Sequence, residues 1–199
     1  MKHIIITLIL ACFFSNISIA QSPIYPSQDW SDEQTNAYYK DLDNEMNAFE
    51  GTWLYTNGNT SLKMVLEKQE MYFNGKYYKD IIIGEYQYIE NGVELINTLD
   101  DLSLDLGYSH KIKGSSFVKT CIYVSVSDCI EGEVVLKISI RDAITGHHFG
   151  QTQLIKRTID GQETLKAFMA FNYYGDYDET GIAPSPTMPW QQEYTFIKQ

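Results

Sequence analysis

The sequence predicts an all-β chain, an antiparallel up-and-down β-barrel with a short N-terminal helix, and three observations carry that prediction. From Thr52 onward apolar residues recur with a period of two, as in Leu62, Met64 and Leu66 against Lys63, Val65 and Glu67, the pattern of a strand with one buried face. Tight-turn pairs punctuate these runs at Asn74-Gly75, Asn91-Gly92, Thr145-Gly146 and Asp160-Gly161, and Asn-Gly accepts the positive φ angles of a two-residue hairpin. Between the runs there is no crossover helix of the kind a parallel sheet requires. Closing such a sheet on itself removes its sticky edges. A two-sheet β-sandwich shares the periodicity and is the alternative architecture.

In chain order, residues 1–20 read as a signal peptide. Lys2 and His3 form a small basic region, Ile4 to Phe14 an apolar one, and Ser18-Ile19-Ala20 supplies small residues for cleavage before Gln21. Lipoprotein processing at Cys12 is the competing outcome, and it would cut inside a run that stays apolar through Phe14. No later stretch reaches the roughly 18 apolar residues a membrane-spanning helix needs. Residues 21–31 carry Pro23 and Pro26 and read as a linker, leaving 32–199 as a single barrel domain.

Ser31 followed by Asp32 and Glu33 predicts a helix start, and Leu42, Met46 and Phe49 at i, i+4 and i+7 give it an apolar face that Gly51 ends. The strands then follow. Met71 and Phe73 lead into the Asn74-Gly75 turn, Ile81 to Tyr88 run to Asn91-Gly92, and Val93 and Leu95 return. Residues 99–116 suit a loop with a short strand or helical turn. Phe117 to Val126 reads as a strand with Ile122, Val124 and Val126 on one face, and Val134, Leu136, Ile138 and Ile140 alternate most cleanly of all. Residues 172–190 read as a Tyr/Gly/Pro-rich loop. Tyr194 to Lys198 is a last strand, placed to pair with Thr52 to Thr56.

Charge and chemistry narrow the function. The whole chain has a formal net charge of −11, and removing the leader leaves 14 Lys and Arg against 26 acids, about −12. That excess argues against nucleic acid and anionic membrane surfaces as partners. Cys121 and Cys129 remain after the leader is cut, and an even pair in an exported chain is a disulfide candidate, two unpaired thiols being the alternative. There is no Gly-rich phosphate loop, no G-x-S-x-G elbow and no H-E-x-x-H, so the reading includes no cofactor, no metal and no catalytic residue. His147 and His148 are adjacent in a predicted turn, which suits solvent better than a shared metal. Asp176, Asp178 and Thr180 before Gly181 are spaced like the start of a calcium loop, but position twelve is Thr187 where a closing Glu would stand.

The run Phe49-Glu50-Gly51-Thr52-Trp53, at the point where the first strand opens, resembles the start of lipocalin-like barrels. That resemblance implies a Trp53 that plugs one end of the barrel from inside. No Thr-Asp-Tyr triplet follows between the middle strands, a departure from the full lipocalin pattern. The leader, the F-x-G-T-W run, Asn91 to Asn97 and the Pro/Trp-rich tail together resemble an uncharacterised family of secreted proteins from Bacteroidetes, over nearly all of the mature chain. That family brings compartment and fold without an activity. Two classes of function follow. One is a binding barrel for a small apolar or amphipathic ligand, with Trp53, Met64, Leu66, Tyr86, Val124, Leu136 and Ile138 as its candidate interior. The other is a secreted interaction module that meets a protein or glycan through Tyr-rich loops.

Overall fold

A computed structural model describes residues 23–28, 33–170 and 185–199. The leader, the proposed cap Ser31 and the segment Asp176 to Gly181 lie outside them. The described strands are β1 Ile24–Pro26, β2 Tyr38–Lys40, β3 Gly51–Asn57, β4 Thr60–Phe73, β5 Tyr78–Glu90, β6 Val93–Asn97, β7 Ile112–Val118, β8 Val135–Arg141, β9 His148–Ile159, β10 Gln162–Met169 and β11 Gln192–Lys198.

Eight of these strands close into an antiparallel barrel, in the order β5-β4-β3-β11-β10-β9-β8-β7 and back to β5. The return contact pairs Ile82 with Gly114 and Gly84 with Ile112. The last strand meets the first as expected, Ile197 opposite Leu54 and Lys198 opposite Trp53. One edge of the long β5 serves three partners in turn: β2 at Tyr78 and Lys79, β7 at Ile82 to Gly84, and β6 from Gln87 to Glu90. Closure thus leaves room for short strands to pair beyond the ring. Gly84 makes the close approach possible, because a Cβ there would lie 2.5 Å from the Val65 carbonyl oxygen and 2.8 Å from Leu66 Cδ2.

Alternation fills the interior. Leu62, Met64 and Leu66 from β4, Ile82, Tyr86 and Tyr88 from β5, and Leu136, Ile138 and Ile140 from β8 belong to one buried cluster. Lys63, Val65 and Glu67 occupy the intervening positions of β4, which are more exposed.

Four expectations need correction. Where the spacing predicts a helix, described residues 33–49 hold one 3-10 helix, Glu45–Phe49, while Tyr38–Lys40 is strand and Leu42 is 55% exposed. Tertiary bonds override the helical period here, since the Asp41 amide donates to Asp80 and the Asp41 carboxylate receives the amides of Glu45 and Met46. The linker contributes β1, parallel to β2. The strand Phe117 to Val126 stops at Val118, and residues 119–134 form an excursion across the outside of β8 and β9. Finally, Val124 is not an interior residue: it packs with Val118 against Val126, Val135 and Ile155, apart from the barrel core.

Candidate functional site

The two ends of the barrel differ. At one end the 3-10 helix inserts Met46 and Phe49 into the core, and Trp53 lies fully buried with its indole N–H donating to the Phe49 carbonyl at 2.8 Å. Lys198 Nζ sits 5.4 Å from the Trp53 ring centre, a cation–π contact from the last strand onto the first. Gly51 enters this end at φ 126°, which a side chain would not tolerate. Around the plug lies a network of buried charge. Lys68 Nζ is 3.2 Å from the Asp41 carboxylate, both side chains almost wholly buried, and donates to Asn47 Oδ1 at 3.0 Å. Asp80, fully buried, accepts the Tyr38 hydroxyl and the amides of Asp41 and Met71. Burial, then the Asp80 hydrogen bond, raises the Tyr38 pKa far above its usual value. This end is closed.

The opposite end is a mouth framed by aromatic side chains. Inward positions two residues apart place Tyr55 beyond Trp53, Tyr88 beyond Tyr86, and Tyr194 beside Phe196. Tyr55 and Tyr194 meet edge to face at 4.8 Å. With Asn57, Thr60, Glu90, Pro189 and Gln192 the three tyrosines line a pocket of about 220 Å³. The Tyr88 hydroxyl donates to Glu90 Oε1 at 3.0 Å, and the Tyr194 hydroxyl donates to the Pro189 carbonyl at 2.7 Å. Burial pushes the Tyr194 phenol up to about 12 and the Tyr88 phenol above its usual value too, so both stay protonated donors.

The rim of the mouth is pinned from below. The Asp142 carboxylate receives the amides of Ile144, Thr145 and Thr187 and the Thr187 hydroxyl. Burial disfavours its charge, but those N–H groups outweigh it and hold the carboxyl below the ordinary range. The Tyr86 hydroxyl donates to the Arg141 carbonyl and accepts the Ala143 amide. Two rim segments, 141–146 and 185–191, are thereby tied to one carboxylate and one phenol.

Of the sequence-predicted interior, Trp53, Met64, Leu66, Tyr86, Leu136 and Ile138 come together in one core, and Val124 does not. Their side chains fill the barrel below the mouth. Sequence reasoning missed Tyr55, Tyr194, Glu90, Asn57 and Gln192. The signal was available for the tyrosines, since each lies two positions from a residue predicted to face inward or on the same strand face as Phe196. Cys121 and Cys129 form a disulfide, with Cα atoms 5.8 Å apart, that closes the tip of the 119–134 excursion. His147 is buried and not in a solvated turn, while His148 opens β9. Among the described residues no group of three or more His, Cys, Asp or Glu is placed to hold a metal ion. No helix among them is long and apolar enough to cross a membrane.

Across residues 1–199 the chain matches the model of a family of unknown function, DUF6705, and it belongs to that family. No curated protein and no solved structure matches it.

Proposed function

We propose, from membership of a family with no assigned activity, that this chain is an exported lipocalin-like barrel that binds a small amphipathic ligand at its mouth. The observation that carries the reading is the pocket framed by Tyr55, Tyr88 and Tyr194. Aromatic faces offer apolar area, while Asn57, Glu90 and Gln192 offer hydrogen bonds to hydroxyl or amide groups. At about 220 Å³ the pocket is smaller than the roughly 300–1,000 Å³ typical of drug-sized ligands. A ligand of monosaccharide size, or the head of a larger one, fits that space. Binding fits the chemistry better than catalysis, since among the described residues Glu90 is the only carboxylate lining the pocket and neither His nor Cys lines it.

Saturation-transfer NMR against a panel of monosaccharides and short-chain amphiphiles tests the reading. The expected result is one-to-one binding that Tyr55→Ala or Tyr194→Ala weakens about tenfold, within the range for losing a buried aromatic contact. Lys63→Ala on the outer wall should leave it unchanged. Absence of saturable binding across the panel would sink the proposal.

Export rests on the tripartite leader and on the resemblance to secreted proteins of Bacteroidetes, and the Cys121–Cys129 disulfide suits an oxidising compartment. Intact mass should place the N-terminus at Gln21; a retained leader or a diacylglyceryl adduct on Cys12 would defeat it. A second reading, the interaction module, is favoured by the disulfide-closed excursion. It presents Tyr123 at 90% exposure beside Ile122, with Ile130 exposed nearby. Tyr123→Ala would then abolish pull-down of a partner while leaving mouth binding intact.

A further inference from the structure

The geometry points to an oxyanion site on the outer wall of the barrel, where Lys113, Ser139, Arg141 and His148 converge to hold a phosphate or sulfate group. Ile112, Ile140 and Phe149 are the inward members of β7, β8 and β9, so alternation turns Lys113, Ser139, Arg141 and His148 outward. The register sets Lys113 opposite Ser139 and Arg141 opposite His148. The side chains follow that placement: Ser139 Oγ lies 3.5 Å from His148 Nδ1. Lys113 Nζ donates to the Tyr108 carbonyl at 2.6 Å, which fixes the ammonium and leaves two of its three donors for a ligand.

What sets the cluster apart is that two cations stand together with no described carboxylate ion-paired to either. Among the described residues Lys119, Lys156, Arg157, Lys166 and Lys198 each pair with a carboxylate. Among the described residues Lys113 and Arg141 have no such pair, and neither do Lys40, Lys63, Lys79 and Lys137. But Lys113 and Arg141 lie diagonally across the β7–β8 ladder, on a chain where 26 acids outnumber 15 bases. Their mutual repulsion is already felt. Burial and then Arg141 lower the Lys113 pKa, and burial followed by Lys113, Arg141 and His147 lowers that of His148. An anion seated between these groups turns that repulsion into attraction. A tetrahedral oxyanion has enough oxygens to accept from an ammonium, a guanidinium edge, a hydroxyl and an imidazole N–H together.

The overall negative charge repels polyanions, so the group is a single one, free or carried on a small molecule. Beside Arg141 a hollow of about 320 Å³, lined by Lys111 and residues 142–146, has room for the rest of such a molecule. Asp142 borders it too, but its carboxylate is already occupied by Thr187, Ile144 and Thr145. The mouth pocket shares no lining residue with this hollow, and the two proposals stand or fall separately.

Titrating the whole protein with inorganic phosphate at fixed ionic strength, by calorimetry and by the His148 ring NMR signals, tests the site. The expected result is saturable one-to-one binding, an upward move of the His148 pKa, and about tenfold weaker binding in Arg141→Gln or Lys113→Gln, as for loss of a charge-assisted bond. Both substitutions lie on the outer wall, and a circular dichroism spectrum like that of the parent establishes that each variant is folded. A sugar phosphate that binds more tightly than inorganic phosphate identifies a carried group; equal affinity identifies the free ion. Chloride reproducing the His148 response, or undiminished binding in both variants, overturns the proposal.

Discussion

The closed end and the mouth of this barrel use buried polar groups to different purposes. At the closed end Lys68, Asp41 and Asp80 are buried beside Trp53 and fasten the segment ahead of β3 to β4 and β5. At the mouth one carboxylate, Asp142, gathers two rim segments, while three tyrosines and a second carboxylate, Glu90, line the pocket with neutral polar groups. A salt bridge that is buried on both sides is costly to break, because the surviving charge has no solvent to turn to. A carboxylate satisfied by backbone amides fixes loops and leaves the surrounding surface open. The difference teaches that one end is built to hold the barrel together and the other to present a shape.

Substitutions can break that comparison. The largest effect belongs to Trp53→Ala, expected to cost about 3–5 kcal/mol in urea denaturation, as large aromatic truncations in cores do. Next comes Lys68→Met, which strands Asp41 and should cost about 3 kcal/mol. Pairing it with Asp41→Asn should recover much of the loss, and a double variant no better than the single would refute the buried-pair account. Gly84→Ala forces a side chain against β4 and should cost roughly 1–3 kcal/mol as an overpacked core site. Asp142→Asn should fall near 1 kcal/mol, typical for loss of charge on a hydrogen-bond acceptor, with hydrogen exchange rising at Thr187 and Thr145 and not at Trp53.

The same carboxylate gives the comparison a pH arm. Asp142 has a folded pKa below its unfolded one, so its contribution is complete above about pH 4, the ordinary carboxylate value. It is lost as pH falls toward the folded pKa. Acid should therefore loosen the 185–191 rim, read as faster hydrogen exchange at Thr187, and Asp142→Asn should erase that pH dependence. The smallest effect is at Glu163, where Lys156 and then Lys198 hold the carboxyl at about 2. Being exposed, it should titrate near the ordinary value in molar salt with little change in stability.

The barrel was legible because period-two patterning and Asn-Gly turns are local signals. Closure into eight strands was not in those signals, since a sandwich shares the periodicity; it is set by the pairings of β11 with β3 and of β7 with β5. What stayed hidden was set by contacts remote in sequence. Leu42, Met46 and Phe49 have helical spacing, yet Asp80, some forty residues on, holds Tyr38 and Asp41 extended. Val124 alternates like a core residue because it packs, partly buried, against a core, but that core is the small outer cluster of Val126, Val135 and Ile155. Periodicity tells that a face is buried and not which layer buries it. The mouth was half legible: the tyrosines share the period of the core, whereas Glu90 and Gln192 take part only through the fold.

The pairing of β3 with β11 joins Trp53 to Lys198 across nearly the whole chain. The ring can be fastened only when the final strand has been delivered, and until then β3 carries an unsatisfied row of amides and carbonyls beside a half-built floor. Such distant pairing makes for slow folding. A chain that emerges from its N-terminus meets solvent first as an unclosed sheet, ready to pair with a neighbour of its own kind. That exposure ends when Ile197 settles against Leu54.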